Sequence, residues 1–249
     1  MAAKLTPEEK QRYDRQMILP SWGEKAQSAL KDSCVFIAGA GGLGSAAAIY
    51  LAAAGVGALR ICDSGAVELS NLNRQILHGD DRIGKKKPLS AERTLRTVNP
   101  SVQIIPLTET IEADNIASLV GGAPLMVDCL DNFQTRYILN EYAVRTGTAL
   151  VHAGVNGMCG QIAFIQPPET ACLACLVPEG PPPEIFPILG ATAGVLGCLE
   201  AMEALKYLTG TGELLKGRLL FFDGEAMQFQ EVSFDKDPEC RVCGSARRK

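Results

Sequence analysis

The stretch from Cys34 to Gly44 limits the possible folds more than any other part of the chain. It reads Cys34-Val-Phe-Ile-Ala38, then Gly39-Ala40-Gly41-Gly42-Leu43-Gly44. A short apolar run ending in glycine is the pattern of a buried strand. Gly42 to Ala54 then reads as a helix of small residues, able to lie close against a sheet. A strand that enters a helix through Gly-x-Gly-x-x-Gly turns tightly. Its backbone can approach a phosphate, whose charge then meets the helix N-terminus. Leu59-Arg-Ile-Cys62 is a second strand, and Asp63 ends it about 20 residues past the glycines, where an acid can hold ribose hydroxyls. A nucleotide site and a tight turn without ligand both fit this motif, and on the nucleotide reading ATP and NAD both remain open.

The pattern repeats downstream. Helix is expected over 87–98, stopped at Asn99-Pro100, and over 132–146, with strands at 102–107, 124–127 and 148–152. Alternating strand and helix implies right-handed βαβ units, a mostly parallel Rossmann-like sheet and helices on both faces. After Val151 the rhythm changes. Gly160 to Ile165 is a strand with no long helix behind it, and 166–187 is a proline-rich segment longer than ordinary connections. Gly190 to Leu208 is a long helix, and 218–222 with 229–232 form a closing antiparallel hairpin. Ahead of the first strand, Thr6-Pro7 and Glu9 make a capping-box start to a helix, and 22–30 a second. The expected organisation is one domain over 1–249: a helical arm (1–31), a nucleotide-binding part (32–152) and a zinc-bearing, partner-binding part (153–249).

Composition narrows the function classes. With 24 Lys plus Arg against 28 Asp plus Glu, the net charge is −4. The basic runs Lys85-Lys86-Lys87 and Arg247-Arg248-Lys249 are short, so neither nucleic acid nor an anionic membrane is an expected partner. The charged N-terminus has no apolar core of the secretory kind. The longest apolar stretch, Ser45 to Leu59, has 15 residues, fewer than the roughly 18–20 that span a bilayer. A cytoplasmic location is expected, in keeping with an odd count of nine cysteines. Four of these form Cys172-Leu-Ala-Cys175 and Cys240-Arg-Val-Cys243, some sixty residues apart, a spacing suited to closed tetrahedral Zn²⁺. Cys34, Cys62 and Cys129 lie in expected strands and are read as packing residues, and Cys159 and Cys198 as structural with no assigned role.

Two polar clusters supply candidate chemistry. Ser70-Asn71-Leu72-Asn73-Arg74-Gln75, with Lys87 beyond, can converge on a polyphosphate: arginine as a planar fork, lysine as a mobile charge. Asp131-Asn132 ends the fourth strand, where a carboxylate can hold Mg²⁺ or the pair can cap the next helix. The only histidines are His78 and His152, and His152 reads as a core residue. No placed catalytic His or Tyr supports the dehydrogenase alternative, and a non-catalytic zinc-stapled scaffold is the third.

Taken in order, Arg12-Tyr13-Asp14-Arg15-Gln16, Gly39 to Gly44, Asp63, Ser70 to Gln75, Gly84 to Lys87, Asp131-Asn132 and the four cysteines resemble the E1-like (ubiquitin-activating-type) adenylyltransferases of the ThiF/MoeB/HesA family. The resemblance runs from about residue 12 to 243. It implies ATP and Mg²⁺, and a partner that is a ubiquitin-like sulfur carrier ending in Gly-Gly, activated as an acyl-adenylate with loss of pyrophosphate. It further implies that Gly39, Gly41, Gly42 and Gly44 form the phosphate loop and Asp63 holds the ribose. Asn71, Arg74 and Lys87 contact phosphates, Ser70, Leu72, Asn73, Gln75 and Asn132 complete the nucleotide site, Asp131 binds Mg²⁺, and Arg15 reaches the ATP of the other subunit of a homodimer. A carboxylate is nucleophilic at neutral pH, so such chemistry needs positioning and charge stabilisation more than a base. The sequence departs from the family in one place: 177–187 has no cysteine, so no covalent enzyme–carrier thiol intermediate is expected in that loop. The sulfur donor is expected to be a separate protein. Phe222-Asp223-Gly224 leans toward the thiamine branch without separating it from the molybdopterin branch.

Overall fold

The computed structural model describes residues 3–182 and 186–244; the basic run at 247–249 and part of the proline-rich segment lie outside them. The chain begins with α1 (Pro7–Arg12), α2 (Asp14–Met17) and α3 (Gly23–Lys31). The expected capping box is present: Glu9 N–H donates to Thr6 Oγ1 at 3.2 Å, and Thr6 N–H to the Glu9 carboxylate at 2.7 Å. Then follow β1 (Cys34–Ala38), α4 (Gly42–Ala54), β2 (Ala58–Cys62), α5 (Lys87–Val98), β3 (Gln103–Leu107), α6 (Ile116–Val120), β4 (Leu125–Asp128) and α7 (Phe133–Thr146). The second half holds β5 (Ala149–Asn156), β6 (Cys159–Ile165), α8 (Leu173–Leu176), α9 (Gly190–Thr209), β7 (Arg218–Asp223) and β8 (Gln228–Ser233).

All eight strands form one sheet in the order β3-β2-β1-β4-β5-β6-β7-β8. Strands β1 to β5 pair in parallel, and β6, β7 and β8 continue the sheet antiparallel. The order reverses between β1 and β4, the switch point at which open α/β sheets bind ligands beyond the carboxyl ends of their strands. Alternate residues of the central strands feed two cores. Val35, Ile37, Val127 and Val151 pack with α4 and α9, while Phe36, Ala38, Met126 and Leu150 pack with α6, α7 and α8. Helix α6 and the single turn α8 were not expected from the sequence, being too short to show a helical period. Among the described residues no helix is long and apolar enough to cross a membrane.

The small residues of α4 serve close approach. It packs on α9, where a Cβ added to Gly197 would lie 2.4 Å from Leu43 O and 2.9 Å from Ala46 Cβ. At its other end the N-terminal arm docks: Gln16 and Gln27 both donate to Ala54 O, and Asn99 Nδ2 donates to the Tyr13 hydroxyl at 2.8 Å. Gly197→Val should force α4 and α9 apart and cost about 1–3 kcal/mol, the usual penalty of overpacking. Thermal denaturation checks this, and an unchanged midpoint would contradict the packing described.

Candidate active site

The site is built around Gly39, which has φ +98°, a conformation that favours glycine. A Cβ there would sit 2.6 Å from Cys129 O, and one on Gly44 2.0 Å from Gly39 O. The loop after β1 therefore lies directly on the loop after β4, and only glycines permit the contact. Gly41 stands at the open mouth, where an added Cβ would meet only Gln75 Nε2, at 3.8 Å. Asp63 accepts from Ala40 N–H at 2.9 Å and Gly65 N–H at 2.8 Å, so it braces the glycine loop with one oxygen each and keeps lone pairs for hydroxyl donors.

The polar segment closes over this loop. Asn71 is buried and its Oδ1 accepts from Glu68 N–H, fixing the turn that carries Ser70, Leu72 and Asn73. Arg74 is held by Ser70 O at 2.9 Å and Asn73 Oδ1 at 3.0 Å, with its stem over Gly42. Gln75 is buried, with Oε1 unpartnered. The stem of Lys87, at the start of α5, lies against Gly65 beside Asp63. The N-terminus of α9 packs on the same turn, since a Cβ on Gly190 would lie 2.5 Å from Asn73 O. Asp131 is exposed at the end of β4, two residues past the glycine-loop contact. Asn132 caps α7, its Oδ1 accepting from Thr135 N–H at 2.9 Å. The chain thus brings together Gly39 to Gly44, Asp63, Ser70 to Gln75, Lys87 and Asp131. Arg15 is not among them: it is exposed on α2, at the far end of α4, about 20 Å of helix away.

Beyond Asp131 the site opens into a cavity of about 870 Å³ between α7, the segment near Pro181 and the face of β5–β6–β7. Phe133, Tyr137, Phe186 and Phe221 make it largely apolar, and Arg136 and Gln161 supply polar groups. Cys159, read from sequence as structural, is exposed on this wall, because β6 turns that face of the sheet to the cavity.

The four paired cysteines come together on the far side of α7. Their sulfurs lie within 4.8 Å of one another, with Cys172–Cys240 at 3.7 Å and Cys175–Cys243 at 3.3 Å. A tetrahedral ion with Zn–S bonds of 2.3 Å needs S···S separations of about 3.8 Å, so the donor set fits it. Asn140 Nδ2 donates to Cys172 Sγ, and Tyr137 donates to Val177 O at 2.9 Å while Arg241 stacks on its ring. Helix α7 therefore joins the cysteine cluster to the cavity wall.

Sequence reasoning missed His78. It is buried, with Nε2 2.9 Å from Ala40 O and Nδ1 2.9 Å from Ser90 Oγ, so it clamps the glycine loop to α5. Burial, with the Lys87 and Arg82 charges, holds its pKa below the usual imidazole value. No periodicity or motif marks it. His152 is a core residue as expected, its Nδ1 2.7 Å from Asp128 Oδ2. Burial pushes the Cys62 thiol up to about 12, consistent with a packing role.

The comparisons with known proteins bear on this geometry. Residues 13–242 match the model of the ThiF family. The chain belongs to the ThiF family. It is 42% identical to the heterocyst protein HesA of Trichormus variabilis, over 97% of this chain and 91% of that one. It is 40% identical to the SAMP-activating enzyme E1 of Haloferax volcanii, over 98% and 92%. Among solved structures, E. coli MccB superposes with a TM-score of 0.86 at 23% identity, over 95% of this chain and 73% of that one, a likeness of fold.

The site also contains a buried acid. Glu200 of α9 accepts from Cys129 Sγ at 3.4 Å, just behind the glycine-loop contact, and its Oε1 has no partner. Burial first, then the charge of Asp128, raises its pKa well above the ordinary carboxylate value. In the unfolded chain this carboxyl ionises near pH 4.3, about the ordinary glutamate value, and in the folded chain at a higher pH. Stability therefore falls as pH rises above that value, until the folded carboxyl ionises as well. Glu200→Gln should remove this slope, so its advantage over the parent in denaturant titrations should be larger near pH 8 than near pH 5. An equal difference at both would contradict an upward shift at Glu200.

Proposed function

We propose that this chain is an ATP-dependent adenylyltransferase. It activates the C-terminal glycine carboxylate of a ubiquitin-like sulfur-carrier protein, for sulfur transfer from a separate donor in thiamine or molybdopterin synthesis. The observation that carries this reading is the convergence at one switch point of a glycine loop, two cations and an exposed carboxylate, opening into a cavity that a chain end can enter. An NAD site needs no such set of phosphate-binding charges, and a passive scaffold needs none.

In this reading the main chain of Gly39 to Gly44 and the start of α4 receive the phosphates, and the free lone pairs of Asp63 take the ribose hydroxyls. Arg74, Asn71 and Lys87 bind the departing pyrophosphate, whose charge they balance as the new bond forms at the α-phosphate. Asp131 would hold Mg²⁺, which neutralises phosphate charge, and Cys172, Cys175, Cys240 and Cys243 would hold a structural Zn²⁺. The protein supplies alignment: the carboxylate enters from the cavity side and attacks in line. Arg15 lies too far from its own loop to act there, so the reading assigns it to the other subunit's site in a homodimer.

Radiolabelled pyrophosphate exchange into ATP, measured with a panel of carriers ending in Gly-Gly, tests this. One carrier should support exchange, and Arg74→Ala and Arg15→Ala should each reduce it at least a hundredfold with the thermal midpoint kept. Co-refolding the two variants should restore up to a quarter of the parent's sites. The mixed dimer pairs an intact Arg74 in one subunit with an intact Arg15 in the other. Exchange undiminished in Arg74→Ala would reject the proposed chemistry, and no recovery on mixing would reject the shared site.

A further inference from the structure

Helix α7 carries a group that the reaction described above leaves unused. Arg136 lies in its first turn, only 6% exposed, and lines the cavity beyond Asp131. Its Nη2 donates to Leu130 O and, at 2.8 Å, to Ala153 O, which pins the guanidinium between the ends of β4 and β5. Its Nε is 3.5 Å from Asp128 Oδ2 and makes no hydrogen bond. Its Nη1 faces Gly154, where an added side chain would begin 3.6 Å away. Gly154 also lines the cavity. A buried, locked donor group is thus presented through an opening that only the lack of a side chain leaves. The unpaired Nε faces Asp128, whereas Nη1 makes no hydrogen bond among the described residues and stands on the cavity side, where a ligand's acceptor can reach it.

We infer that Arg136 grips the main-chain carbonyl of the last peptide unit of the acceptor's C-terminal tail and so sets the position from which the terminal carboxylate attacks. This rests on the function proposed above. Two arguments select the carbonyl over the carboxylate. Asp128 already balances the guanidinium charge, so Arg136 offers direction more than net charge. A carboxylate held in an ion pair would be stabilised before the reaction more than in the transition state, where it gives up charge to the new P–O bond, and the reaction would slow. A neutral carbonyl carries no such penalty. Arg136 is therefore a positioning residue that binds substrate one peptide unit away from the reacting atoms.

The test compares the parent, Arg136→Gln and Gly154→Ala in carrier-dependent pyrophosphate exchange. Gly154→Ala leaves every bond of Arg136 intact and places a methyl at ordinary contact distance over Nη1, so it decides the matter if Arg136→Gln does not fold. Both variants should raise the KM for the carrier at least fivefold and leave the KM for ATP within twofold. A carrier labelled with carbon-13 at the penultimate glycine carbonyl gives a second readout. With a non-hydrolysable ATP analogue present, that resonance should shift on binding the parent and shift less on binding either variant. Folded variants with an unchanged carrier KM, or an equal carbonyl shift in all three proteins, would overturn the role of Arg136 alone. A parent that exchanges with no carrier would overturn the proposed function and this inference with it.

Discussion

The contact between the glycine loop and the end of β4 is the constraint on which the site depends. Gly39 can lie on Cys129 O only because it lacks a Cβ and accepts a positive φ. That single approach brings the turn that would receive phosphates within two residues of Asp131. It also fixes the start of α4, whose small side chains let α9 come close. Helix α9 in turn delivers Gly190 against the Asn73–Arg74 turn. Asp63 and His78 secure the same loop from the other side, one through Ala40 N–H and the other through Ala40 O. The loop is held at both its donor and its acceptor, so its geometry does not rely on a bound ligand.

Helix α7 is the second organising element. Its N-terminus follows Asp131, its first turn presents Arg136 to the cavity, and its middle touches the cysteine cluster through Asn140. Tyr137 ties it to Val177, and Phe133 packs against Gly180 so closely that a Cβ there would lie 2.5 Å away. The cysteine cluster therefore shapes the wall of the cavity and makes no contact with the glycine loop. On the function proposed above this separates two tasks: the Rossmann-like half would hold the nucleotide, and the cysteine-bearing half would shape the place where the acceptor enters.

Much of this was legible in the sequence, for physical reasons. Strand β1, helix α4 and helix α5 were readable because apolar runs, glycines and Pro100 punctuate them sharply. Asn132, read both as a nucleotide contact and as a cap, was readable in the second role because an Asn side chain at a strand-to-helix junction accepts from the first N–H groups of the helix. The four-cysteine cluster was readable because the spacing of each pair fixes its local geometry. What stayed hidden depends on tertiary contact. His78 bonds Ala40 and Ser90, far apart in sequence, and nothing local distinguishes it from a surface histidine. Arg136 reads as an ordinary helical arginine until β5 places Ala153 O beside it. Cys159 had no role to be read because the sequence does not say which face of β6 the cavity takes.

The central claim is that this site joins an acceptor's carboxylate to the α-phosphate of ATP. The most direct measurement follows a carboxylate oxygen. A carrier labelled with heavy oxygen at its terminal carboxylate is turned over with ATP and a sulfur donor, and the AMP and pyrophosphate are analysed by mass spectrometry. The account predicts one labelled oxygen in AMP and none in pyrophosphate. Label in pyrophosphate or inorganic phosphate, or turnover that leaves AMP unlabelled, would contradict it.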